Sequence, residues 1–241
     1  MVELLLPPLY RAVLIRPEQS AIVEARTVAA TGAEEGTIFW SDRPDKLDAA
    51  LLLHPDSSRR DTLPVIYVAA LAFADALGAF APPPAPVSFT WPCGVLIDGA
   101  LIGGLSLAFA RCGADDVPEW AVLGCELAVA ADRGEPGRNP YRTSIVEEDF
   151  EGFSIAAQIE GFSRHFLAWL NRWETGDAAP IMAEWSRRAF GTMLHPTVDL
   201  PGGRRAMPLG LDATGNLRVR QDDGERVLPL EAALTDWAIH G

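Results

Sequence analysis

Residues 91–104 read Trp91-Pro92-Cys93-Gly94-Val95-Leu96-Ile97-Asp98-Gly99-Ala100-Leu101-Ile102-Gly103-Gly104. Asp98-Gly99 stands between two apolar runs, Val95–Ile97 and Ala100–Ala110. A two-residue type I′ turn needs positive φ at both central positions, and Asp-Gly is a pair that accepts it. The stretch is therefore predicted to be a β-hairpin, with another strand, Val87–Trp91, leading into it. Gly103-Gly104 falls inside the second strand, where the missing side chains weaken the ladder. Glycines in that position mark a bulge or a close approach by backbone or ligand.

Working outward, Pro17 to about Ala30 is predicted to be a helix with Ile22, Val23, Ala25 and Ala29 on one face. Gly32 offers it a left-handed stop. Two short buried strands follow, Gly36–Trp40 and Leu47–Leu53, joined by the charged link Ser41-Asp42-Arg43-Pro44-Asp45-Lys46. Pro64 to Phe80 is apolar almost all round, as a buried helix is, and Pro82-Pro83-Pro84 ends it. Beyond the hairpin, Trp120–Ala131 reads as a strand. Ile155, Ile159, Phe162, Phe166, Leu170 and Trp173 recur at helical spacing. Gly176-Asp177 breaks that helix, and Pro180 opens another that runs to Phe190. From Thr197 the texture changes to short strands with glycine turns. A boundary near His195-Pro196 then divides a core domain, 1–194, from a small β-rich domain, 195–241. Strand pairs mixed with helices, without a βαβ rhythm, give an α+β class.

The composition narrows the function. The net charge is −13, from 33 acidic and 20 basic residues, and no run of Lys and Arg is long enough for a phosphate backbone. Nucleic acid is excluded as a partner on that ground. No apolar run reaches the roughly 20 residues of a membrane span. The opening segment Met1–Pro8 is too short and wrongly flanked for a signal peptide. Cys93, Cys112 and Cys125 are odd in number and lack CxxC spacing, which argues against a disulfide framework or zinc site. A reduced, cytoplasmic protein is expected. No nucleophile elbow, Walker loop, dinucleotide turn or carboxylate-rich metal motif is present.

Three stretches resemble the biotin/lipoate protein ligases. Residues 91–104 are similar to that family's WPND…G-R-K-L-A-G hairpin. Phe166–Leu170 through Ala179-Pro180-Ile181 to Trp185 is similar to the helix pair after its core. Gly210-Leu211-Asp212-Ala213-Thr214-Gly215-Asn216-Leu217 is similar to a strand turn of its C-terminal module. The layout matches from about Ala21 onward, and no DNA-binding helix-turn-helix is expected ahead of it. The resemblance implies a class II synthetase-like fold with a mostly antiparallel sheet, flanking helices and a small SH3-like β domain. It also implies ATP with biotin or lipoate as the acid that is activated, a carrier domain as acceptor, and a possible homodimer.

The departures bear on the chemistry. Joining a carboxylate to an α-phosphate brings like charges together, which a fixed lysine and backbone N–H groups normally stabilise. In register with the hairpin, the family's catalytic lysine falls on Leu101, and its Asn-Asp pair falls on Cys93-Gly94. Its glycine/arginine-rich loop would lie between Trp40 and Leu47, where only a short polar link exists. The asparagine of its later strand falls on Ala128. The fold is expected to survive these losses, but the reaction does not follow from it.

Lys46, Cys93 and Trp91 each carry two readings. Lys46, the sole lysine, with Arg43 beside it, could replace the missing lysine, or be a loop charge paired with Asp42 or Asp45. Cys93 could carry an acyl group as a thiolate, or be a small buried residue. Cys125 is read as core. Trp91 could line the ligand pocket or simply pack. Gly103 and Gly104 are read as positions that a ligand approaches. His165 is read as a boundary residue, and Glu147–Glu151 as a solvated acidic loop. Two functions follow. One is a divergent ligase or acyl transferase acting on a small carboxylic acid or its carrier-bound form. The other is a non-catalytic relative that binds an acyl group or a carrier domain.

Overall fold

The hairpin is built as its sequence requires. In the computed structural model, Asp98 and Gly99 both have positive φ, at 47° and 83°. They join β5 (Gly94–Ile97) to β6 (Ala100–Phe109), which pair antiparallel from Ile97↔Ala100. The register shifts between Val95 and Leu96, so Ile102 is the extra residue of a bulge beside Gly103. The structure describes residues 3–82, 86–130, 141–176, 178–191, 196–200 and 204–240. The expected boundary at 194/195, with His195, lies outside that set.

The hairpin lies near one end of a seven-stranded sheet, with β4 as the edge strand beside it. Its other strands are β1 (Arg11–Ile15), β2 (Thr37–Ser41), β3 (Lys46–Leu53), β4 (Val87–Thr90) and β7 (Ala121–Ala128). The spatial order is β1-β2-β3-β7-β6-β5-β4, antiparallel except for the β1–β2 pair. That pair encloses α1 (Ala21–Ala29) in one βαβ unit, where the sequence had indicated none. β1 went unpredicted because Val13 and Leu14 are exposed on an edge strand, so it carries no burial alternation.

Helices cover both faces. On one lies α3 (Val65–Leu77), buried at every position except Asp75, which explains its all-round apolar sequence. A short α2 (Arg59–Thr62) leads into it. Next to α3 runs α4 (Ile155–Thr175), capped by Ser154, whose hydroxyl accepts from the Ala157 N–H. α5 (Ala179–Phe190) follows and buries Ile181, Met182, Trp185 and Ala189. On the opposite face α1 buries the expected Ala25 and Ala29 together with Ala21 and packs Ile22 against them, whereas Val23 is 57% exposed. Small side chains let the helix sit close to the sheet.

A second sheet, antiparallel and four-stranded, comprises β8 (Val198–Leu200), β9 (Arg204–Leu211), β10 (Leu217–Gln221) and β11 (Gly224–Leu228). Its β9–β10 turn is tied by Asp212, which accepts from the N–H groups of Thr214 and Asn216. Asn216 Oδ1 in turn accepts from the Leu230 N–H and so starts the last helix, α6 (Leu230–His240). That helix returns to the large sheet, burying Leu230 and Leu234 in its core. Among the described residues no helix is long and apolar enough to cross a membrane.

Candidate functional site

The sheet register decides which side chains share a face, because paired residues in a ladder project to the same side. Lys46 pairs with Ala128, Asp48 with Glu126, Glu126 with Gly104, and Gly104 with Gly94. Lys46, Asp48, Glu126, Gly104 and Gly94 therefore lie on one face, the face that carries α1. Leu101 joins them across the bulge: its Cδ1 lies 3.0 Å from where a Cβ on Gly94 would stand. Leu47, Leu105, Cys125 and Leu127 take the other face, beneath α3 and α4.

The charges on this face are mostly paired internally. Lys46 Nζ lies 2.6 Å from Glu126 Oε2, with the two side chains 30% and 50% exposed. Lys46 is thus a strand residue, and its partner is neither Asp42 nor Asp45. Arg43 instead takes Asp45, with Nη2 to Oδ2 at 2.7 Å, and that hydrogen bond holds the Asp45 carboxyl below its ordinary value. Asp48 is 3% exposed and accepts from the Ala21 N–H at 3.2 and 3.3 Å, so a carboxylate of the protein itself fills the N-terminus of α1. Burial pushes the Asp48 carboxyl up, Glu126 adds to the shift, and the Ala21 N–H opposes it.

The two glycines meet different neighbours. A Cβ on Gly103 (φ +151°) would run into the Glu126 carbonyl oxygen and come within 2.8 Å of Leu127 Cα. What approaches Gly103 is the neighbouring strand. A Cβ on Gly104 would stand 2.6 Å from Trp237 Cζ2, and one on Gly94 would stand 3.0 Å from Trp237 Cη2. The group laid on this glycine shelf is the indole of α6. The sequence reading missed Trp237, although Leu230, Leu234 and Trp237 stand at helical spacing and carried the signal.

Cys93 and Trp91 are placed by packing. Cys93 is 1% exposed, and its thiol donates to the Leu105 carbonyl at 2.9 Å. Burial pushes that thiol well up, so forming its thiolate would require the hairpin to open. Trp91 Nε1 donates to Tyr67 Oη at 3.0 Å, and Tyr67 donates to the Gly215 carbonyl at 2.7 Å. Trp91 packs against the cores of both sheets. Of the expected acidic loop, Glu147 and Glu148 accept hydrogen bonds from the hydroxyls of Ser144 and Thr143.

One more cation borders the face. Past the last β6–β7 pair, residues 141–143 run alongside the start of β6: Leu101 N–H donates to Tyr141 O at 2.8 Å, and Thr143 N–H donates to Leu101 O at 3.1 Å. This makes Arg142 the ladder partner of Leu101, in a parallel bridge. Three cations (Arg43, Lys46, Arg142) and three carboxylates (Asp45, Asp48, Glu126) thus belong to this region. The described residues do not fit a nucleoside triphosphate, which would meet as many carboxylates as cations. A single oxyanion fits them better. Two cavities lie elsewhere: one of about 20 Å³ is lined by apolar side chains under α3 and α4, and an open groove lies between α4 and α5.

Comparison with known proteins agrees with the architecture. A Biotin/lipoate A/B protein ligase family model matches residues 6–187. A biotin–[acetyl-CoA-carboxylase] ligase of Paracoccus denitrificans is 29% identical over 194 residues, covering 79% of this chain and 80% of the relative. Among solved structures, a biotin protein ligase-like protein of unknown function from Silicibacter sp. TM1040 superposes with TM-score 0.85 at 29% identity, covering 95% and 98% of the two chains. The biotin protein ligase of Aquifex aeolicus, at 17% identity, shares the fold with TM-score 0.70 over 91% and 96%. With the hairpin, the mostly antiparallel sheet and the small second sheet in place, this chain belongs to the biotin/lipoate A/B protein ligase family.

Proposed function

We propose that this protein binds a small carboxylic acid of the biotin or lipoate class, free or as its acyl form, on the α1 face of the large sheet. From an activated acyl form it then passes the acyl group to an amine of a carrier domain, and the activating group leaves. The observation that carries this reading is the position of Lys46, whose ammonium emerges on the same face as the Gly94–Gly104 shelf. Its ion pair with Glu126 is partly exposed, and such pairs contribute only about 0–1 kcal/mol. A ligand carboxylate can therefore exchange with Glu126 at small cost. Asp48 cannot be exchanged in this way, because it is buried and hydrogen-bonded to α1. The acid's head group is thus directed toward Lys46 rather than to the helix N-terminus. The Paracoccus relative, a ligase matched over four-fifths of its length, supports the class of reaction.

The test is thermal unfolding of the full chain with biotin, lipoate or octanoate, each with and without ATP. A ligand at 100 times its dissociation constant stabilises by about 2.7 kcal/mol. We expect a shift with one acid, lost in Lys46→Ala together with any acyl transfer. An unchanged transfer rate in Lys46→Ala would remove Lys46 from the role. The ATP arms read whether activation takes place on this protein or upstream of it.

A second reading has its own support. Trp237 covers the glycine shelf and Asp48 fills the helix N-terminus, both with the protein's own groups. A relative that only docks a carrier domain needs neither feature to open. Carrier binding without a shift by any acid would favour it.

A further inference from the structure

We propose that Arg142 is the oxyanion-binding residue of this face, taking over the position that Leu101 left without charge. The inference rests on the α1 face being the ligand face, as argued above. Three observations carry it. First, Arg142 is the ladder partner of Leu101, so its Cβ leaves the sheet on the same side as the leucine, whose side chain reaches Gly94 in the other direction. Second, Arg142 is exposed and makes no ion pair or side-chain hydrogen bond among the described residues, whereas Arg43 and Lys46 are both held by carboxylates. Third, its backbone neighbours are fixed, because the bonds from Leu101 to Tyr141 and from Thr143 to Leu101 pin residues 141–143 against β6.

The surroundings define the ligand chemistry. Leu101 offers apolar surface beside a guanidinium that has no partner among the described residues, and the indole of Trp237 extends that surface on the far side of Leu101, over Gly94 and Gly104. Guanidinium binds a carboxylate or phosphate through two parallel N–H···O bonds, which a leucine cannot do. The structure therefore assigns to this place a ligand with an apolar body and one oxyanion, either the carboxylate of an acid or the phosphate of a nucleotide. Lys46, on the same face beyond Ala128, stands as the second cation once Glu126 releases it.

The experiment is calorimetric titration of the full chain with two probes, octanoate and AMP. It is run on wild type, Arg142→Gln, Arg142→Lys and a control, Arg218→Gln, in the small sheet. We expect at least one probe to bind, Arg142→Gln to weaken it at least tenfold, Arg142→Lys to recover part of the loss, and Arg218→Gln to match wild type. Equal affinity in Arg142→Gln and wild type, an equal loss in the Arg218→Gln control, or no binding of either probe to wild type would each overturn the assignment. The arms also separate it from the proposed function. Arg142-dependent binding of AMP without any acid keeps the assignment and sinks the carboxylic-acid reading. Lys46-dependent acyl transfer with full activity in Arg142→Gln does the reverse.

Discussion

Gly103 and Gly104 are adjacent, yet they answer to different constraints. Gly103 sits at φ +151° with the β7 backbone against its α-carbon, so any side chain both strains the backbone and collides with a strand that cannot move. Gly103→Ala is expected to lower stability by about 2 kcal/mol or more. Gly99→Ala, also at positive φ but with open space around it, should cost about 1 kcal/mol. Urea unfolding of the two variants gives the comparison, and equal losses would mean that the collision at Gly103 is relieved. The sequence indicated that something comes close to these glycines. It could not say that Gly103 meets a neighbouring strand and Gly104 meets an indole more than a hundred residues away. The same limit applied to Lys46: its charge was legible, but its partner Glu126 is set by the β3–β7 register.

At the scale of elements, α5 is tied to α3 by an ion pair as well as by its buried apolar face. Glu184 accepts from Arg187 and Arg188, and Arg188 Nη1 reaches Asp75 of α3 at 2.7 Å. The Arg187 hydrogen bond, with Arg188 adding to it, pulls the Glu184 carboxyl down from 4.5 to about 2. A lowered carboxyl contributes stability that is fully present above its unfolded value and lost as pH falls toward the folded one. Glu184→Gln should therefore destabilise the protein by about 1 kcal/mol at pH 7, and the gap to wild type should narrow between pH 4.5 and about 2. Urea melts at pH 7, 4 and 3 would show it; a gap that stays constant with pH would assign the loss to packing. The helix itself was legible from Pro180 and the apolar spacing. Its tie to α3 was not, because Asp75 and Arg188 are 113 residues apart.

At the scale of the whole molecule, the two sheets are joined by a short polar relay in an apolar setting. Trp91 donates to Tyr67, and Tyr67 donates to the Gly215 carbonyl of the small sheet's turn. Gly215 has φ +81°, and a side chain there would press on the Tyr67 ring, so glycine is the residue that docks this turn without strain. Removing the hydroxyl leaves the indole N–H and the carbonyl without this partner. Tyr67→Phe should cost about 1–3 kcal/mol, read as a lower melting point. An unchanged melting point would mean that packing alone holds the sheets together.

By itself the sequence determined the α+β class, the hairpin with its Asp98-Gly99 turn, the buried α3 and the family. These depend on local signals: turn residues that accept positive φ, apolar periodicity, and motifs in order along the chain. Only the tertiary structure decided which groups share the candidate site. It set Glu126 beside Lys46, Asp48 at the start of α1, Trp237 over the glycine shelf and Arg142 against Leu101. Each of these pairings joins residues far apart in the chain. Strand register and helix return fix them through the burial of whole faces, which no local window of sequence contains.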